Sequence, residues 1–106
     1  MLAERNLIGY SLSKMIKTFK HKGLRGLFET GSKKGVNAAH ARRLTALLDI
    51  LDAAEVASDM AVSGSNFHPL KGDMDGFFSV SISGNWRLIF RFTGKDAFDV
   101  DYVDYH

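Results

Sequence analysis

Three stretches near the C-terminus alternate in polarity, and they restrict the fold more than any other feature of the chain. Phe78, Val80 and Ile82 alternate with Ser79, Ser81 and Ser83. Trp86, Leu88, Phe90 and Phe92 alternate with Arg87, Ile89 and Arg91, and Phe98, Val100 and Tyr102 alternate with Asp99, Asp101 and Val103. A period of two marks a strand with one face buried. The links between these strands are too short for crossovers, so the three predict an antiparallel meander.

The pattern also predicts register, because a one-residue slip turns every side chain to the opposite face. For the apolar sets to share a face, Ile82 should oppose Trp86 across a three-residue loop of Ser83, Gly84 and Asn85, rather than across a two-residue turn. Phe92 should oppose Phe98, and Arg91 should face Asp99 as a cross-strand ion pair. Arg87 then faces Val103 with Ser81 on its other side, Asp104 lies beside Trp86, and Tyr105 lies beside Asn85. The same geometry puts His68 and Lys71 near the start of the last strand.

Upstream, residues 16–20 are β-branched and aromatic and read as a first strand of about five residues. From His21 the period changes: Leu24, Leu27 and Phe28 share a helical face, and Gly31 is a natural stop. Asn37 is a good N-cap for a second, longer helix over 37–58. Its core stripe is Ala41, Leu44, Leu47, Leu48, Leu51 and Ala54, while Asp49, Asp52 and Glu55 lie mostly elsewhere. His40 reads as a solvent-facing residue of that helix. Residues 60–67 read as loop, and 72–76 as a polar turn with too few oxygen ligands for a calcium loop.

At 106 residues the chain has room for one core. Residues 1–14 show no clean period and read as a leader or flexible extension, with a single domain over 15–106. An apolar fraction of 45% and a charged fraction of 25% place the chain among ordinary globular proteins. With no cysteine it has neither disulfides nor thiolate metal sites. Charges at Glu4 and Arg5 interrupt any secretion signal, and no run approaches the roughly 20 apolar residues of a membrane span. A soluble, cytoplasmic protein is the expectation. Net charge is only +2, but Lys17, Lys20, Lys22, Arg25, Lys33, Lys34, Arg42 and Arg43 face Glu29 alone within 15–43. That basic lobe suits a polyanion, and equally suits a plain solvated face.

The residues with chemistry in them are His68-Pro-Leu-Lys71-Gly, Asn85-Trp86-Arg87 and the terminal Asp104-Tyr105-His106. Taken singly they are bland. A histidine before proline is ordinarily a surface residue, a terminal histidine a tail residue, Trp86 core and Asn85 a turn residue. Together they supply two imidazoles, two cations, a phenol and a carboxylate at strand ends, a set able to move protons and stabilise a phosphate.

With Lys17-Thr-Phe19-Lys20-His21-Lys22-Gly-Leu, these motifs resemble the HigB toxins, including their GraT-like members, of the RelE/ParE superfamily. The resemblance covers 15–106. It implies an α+β fold with two N-terminal helices packed on a small antiparallel sheet. It also implies the toxin half of a type II toxin–antitoxin pair: a ribosome-dependent mRNA endonuclease that cuts in the A site of the 70S ribosome. No metal or small-molecule cofactor and no membrane is implied, and the silencing partner would be a helix-turn-helix antitoxin, HigA-like. The family's functional positions fall on His68, Lys71, Arg87, Asp104, Tyr105 and His106. Relatives often carry a further basic residue just before the Asn-Trp-Arg segment, where this chain has Ser81 and Ser83, so more of the phosphate stabilisation would rest on Lys71 and Arg87.

Such residues suit cleavage by the RNA's own 2′-hydroxyl, which needs a base, an acid and positive charge around the phosphorus. His68 is assigned as base, His106 as acid and Asp104 as the group orienting an imidazole; exchanging the two histidines' roles fits equally well. Tyr105 would stack on a base or hydrogen-bond the phosphate. Two other readings stand beside this one: a ParE-like poison of DNA gyrase, which needs no acid or base, and a non-catalytic module that holds RNA or protein on the basic lobe.

Overall fold

The three alternating stretches pair as expected, and a fourth short strand joins them. The computed structural model describes residues 15–105, so the expected leader over 1–14 and the terminal His106 lie outside the described residues. The strands are β1 (His68–Pro69), β2 (Phe77–Ser83), β3 (Trp86–Thr93) and β4 (Asp96–Asp104), antiparallel and in sequence order across the sheet. Two helices, α1 (Lys22–Thr30) and α2 (Ala41–Ala53), cover one face. Leu24, Leu27, Leu44, Leu47, Leu48 and Leu51 from the helices meet Val80, Leu88, Phe90 and Val100 from the sheet in one core. The architecture is the expected α+β one.

Register holds over most of the meander and fails at two points. Ser81 pairs with Arg87, Arg87 with Val103 and Trp86 with Asp104, as alternation requires. Ile82 does not oppose Trp86: Ser83 does, and the register shifts between Ser81 and Ser83. A bulge at Ile82 absorbs the extra residue, so a two-residue turn of Gly84 and Asn85 closes the hairpin, with Gly84 at φ +56°. Phe92 opposes Ala97 rather than Phe98, because β4 carries a second bulge where Asp99 adopts φ +53°. Arg91 nonetheless reaches Asp99, with Nε 2.9 Å from Oδ2.

Residues 16–20 run parallel to β4 but make only two isolated bridges, Ile16 to Ala97 and Phe19 to Val100, instead of a full strand. The bulge explains the gap. At Asp99 the backbone N–H turns to the Thr18 hydroxyl, 2.8 Å away, so the ladder is interrupted by a side chain. Asp52, expected on the outer part of its helix, anchors this segment by accepting from the N–H groups of Met15 (3.0 Å) and Ile16 (3.2 Å).

The second helix is shorter than its apolar stripe suggested. Asn37 does cap, its side chain accepting from the Ala39 N–H at 2.9 Å, but it caps a 3₁₀ turn over Ala38–His40 before α2 begins. The helix stops at Ala53 rather than near Ser58. There the Asp59 carboxylate accepts from the N–H groups of Glu55 (2.9 Å) and Val56 (3.4 Å), offering the backbone a non-helical alternative. The 3₁₀ turn Ala57–Met60 that follows seats Met60 in the core.

Candidate active site

Alternation along the ladders assigns each site residue to a face. Phe78, Val80, Leu88, Phe90 and Tyr102 face the helices. On the other face, His68, Ser79, Ile89 and Asp101 form one row across all four strands, and Ser81, Arg87 and Val103 form the next. His68 is therefore deeper in the sheet than expected, level with the middle of β4. It lies two strands and two residues from Arg87, which puts their Cα atoms on the order of 12 Å apart, a gap that two side chains and a phosphodiester can fill.

His68 is half-buried and held at one nitrogen. Its Nδ1 lies 2.9 Å from the carbonyl oxygen of Asn66, which requires the proton on Nδ1 and leaves the Nε2 lone pair free in the neutral ring. Pro69 keeps the strand extended, and Asn66 at φ +48° turns its carbonyl back to the imidazole. The loop before it is tied to β2 twice. The Ser81 N–H donates to Ser65 O at 2.6 Å, and Arg43 Nη2 donates to Gly64 O and Ser81 O, both at 3.2 Å. Arg43, read as part of the basic lobe, has this structural job.

Arg87 projects from the same face. Its Nη1 donates to Gly84 O at 2.8 Å and Trp86 O at 3.1 Å, so the guanidinium is braced against the hairpin turn and its other donors remain for a ligand. Tyr105 follows Val103 by two residues, its N–H donates to Asn85 O at 2.8 Å, and its side chain is 42% exposed, open enough to stack on a base. Lys71 is exposed at the opposite end of the sheet, next to Leu70, whose N–H bonds Phe77 O, so it flanks His68 on the side away from Arg87.

Asp104 departs from the expected grouping. It is paired with Trp86 and shares the phase of Tyr102, so it leaves the sheet on the helix side, away from His68 and Arg87. The carboxylate in the row of His68 is Asp101, three strands away at the other edge of the sheet, and that one accepts from the Tyr102 N–H. Among the described residues, no three of His, Asp and Glu gather where they could hold a metal ion.

His40 contradicts its solvent-facing assignment. It is 7% exposed, with Nδ1 2.6 Å from the hydroxyl of Tyr102. The 3₁₀ turn rotates it inward by comparison with a helix starting at Asn37, and nothing in the local pattern signals that.

The chain matches a known family along nearly its whole length. A family model described as the RelE-like toxin of type II toxin–antitoxin system HigB matches residues 17–106. The chain belongs to this family of HigB toxins. It is 42% identical over 92 residues to a protein of Proteus vulgaris named Endoribonuclease HigB, covering 87% of this chain and all of the relative. It is 31% identical over 94 residues to Toxin HigB-1 of Vibrio cholerae serotype O1, covering 87% of this chain and 98% of the relative. As a HigB toxin it acts within a type II pair, whose other member is an antitoxin. No helix among the described residues is long and apolar enough to cross a membrane.

Proposed function

We propose that this toxin is an endoribonuclease that cuts messenger RNA in the ribosomal A site, through the RNA's own 2′-hydroxyl and without a metal. The observation carrying this reading is His68: a histidine with Nδ1 committed to a carbonyl and Nε2 free, on the same sheet face as Arg87. His68 Nε2 takes the 2′-proton as that oxygen attacks phosphorus. His106 gives a proton to the departing 5′-oxygen. The products are a 2′,3′-cyclic phosphate and a free 5′-hydroxyl. Arg87 and Lys71 approach the phosphate from the two ends of the sheet and stabilise the charge that builds in the transition state. Tyr105 stacks on a neighbouring base. The need for a 2′-hydroxyl makes the reaction blind to DNA. The basic lobe steers the toxin to the ribosome's RNA surface, and a HigA-like helix-turn-helix antitoxin silences it.

The test is cleavage of a defined message on purified 70S ribosomes with excess chelator present. Cleavage leaving a cyclic phosphate supports the reading, as does a loss of about 10²- to 10⁴-fold for His68→Ala. Intact message together with DNA double-strand breaks in cells would replace it with gyrase poisoning.

A further inference from the structure

The end of the sheet that carries Asp104 and Tyr105 is closed from the helix side by a polar aromatic cluster that the proposed reaction does not use. Tyr102 is buried and stacked on Trp86, with ring centroids 4.5 Å apart. The rings of His21 and His40 meet it edge-on at 5.3 Å and 5.9 Å. Its hydroxyl accepts from the Asn37 N–H at 3.4 Å and lies 2.6 Å from His40 Nδ1. His21 is the N-cap of α1, accepting from the Leu24 N–H at 3.2 Å, and His40 is the residue immediately before α2. One side chain of β4 thus touches the start of both helices.

Its position on β4 gives this consequence. Tyr102 precedes Asp104 by two residues on the same face, and Trp86, on which it stacks, is the ladder partner of Asp104. Apolar side chains of the same volume would fill this space with no polar atom to satisfy. A buried hydrogen bond adds direction instead: it fixes the rotation of the phenol, and with it where the last residues of β4 emerge. We propose that His40 and Tyr102 are positioning residues, anchoring the end of β4 to the start of α2 so that Tyr105, three residues after Tyr102, is held in place for cleavage. The inference rests on the RNA-cleavage reading of the site.

The experiment measures single-turnover cleavage against ribosome concentration, well below each variant's melting temperature, for Tyr102→Phe, His40→Ala, His40→Asn and Tyr105→Ala. Tyr102→Phe keeps the stack on Trp86 and removes only the hydroxyl. It and His40→Ala should each slow cleavage at saturating ribosomes by about 10- to 100-fold, with the half-saturating concentration unchanged. His40→Asn, whose amide overlies the Nδ1 position, should recover most of the rate. The double variant of Tyr105→Ala and Tyr102→Phe should be no slower than Tyr105→Ala alone. A Tyr102→Phe protein that melts earlier yet cleaves at the wild-type rate would overturn the inference and leave the reaction standing, as would two defects that multiply. A Tyr105→Ala protein that cleaves normally would remove Tyr105 from the reaction itself, and this inference with it.

Discussion

The Nδ1 of His68 lies 2.9 Å from the carbonyl oxygen of Asn66, a residue at φ +48°. One non-glycine residue in the left-handed region therefore sets the tautomer of the candidate base. Asn66→Gly, which adopts that backbone freely, should retain cleavage. Asn66→Ala should lose about 1 to 2 kcal/mol of stability, by urea titration, and should cleave more slowly. Equal stability in the two variants would show that the backbone there is not constrained.

Arg87 holds the hairpin turn through Nη1, and its remaining donors are left for a ligand. Arg87→Ala should cost about 2.7 to 4 kcal/mol in transition-state stabilisation, read from the cleavage rate on saturated ribosomes. Arg87→Lys, lacking the planar fork, should recover only a small part of that.

Tyr102 titrates above the ordinary tyrosine range: burial raises it most, the Asn37 N–H works in the opposite direction, and the charge of Asp104 raises it further. The unfolded chain loses this proton near pH 10 while the folded chain keeps it, so unfolding releases a proton and rising pH favours it. Stability from this group is fully present below pH 10 and is lost as pH rises from there through the folded value. Melting curves between pH 9 and about 11.5 should fall more steeply for the wild type than for Tyr102→Phe.

Arg91 and Asp99 form an ion pair at 2.9 Å with side chains 42% and 41% exposed. A double-mutant cycle should give about 0.2 to 1 kcal/mol at low salt, declining as salt is added, with no change in RNA cleavage.

Gly23 lies in the first turn of α1 against Gly35, where an added Cβ would meet the Gly35 carbonyl oxygen at 2.8 Å. That oxygen belongs to the backbone, so it does not yield cheaply. Gly23→Ala should destabilise the protein by about 1 to 3 kcal/mol despite the better helix propensity of alanine, as measured by chemical denaturation.

Alternation and local period by themselves determined the elements and the faces they bury: the meander, its Ser81–Arg87–Val103 row, both helices, and the placing of Trp86 beside Asp104 and Tyr105 beside Asn85. These were legible because a period of two or 3.6 is a property of consecutive residues. His68, Lys71 and Arg87 stood out as candidates only through the resemblance that the order and spacing of their motifs carry, since each is bland when taken singly. The tertiary structure alone decided the rest. The bulges at Ile82 and Asp99 answer to the closure of turns and to Thr18, far away in sequence. Asp104 and His68 emerge on opposite faces because β1 pairs with Ser79. His40 is buried because a 3₁₀ turn brings it to the hydroxyl of Tyr102, 62 residues on. A hydrogen bond across such a separation leaves no trace in the pattern on either side of it.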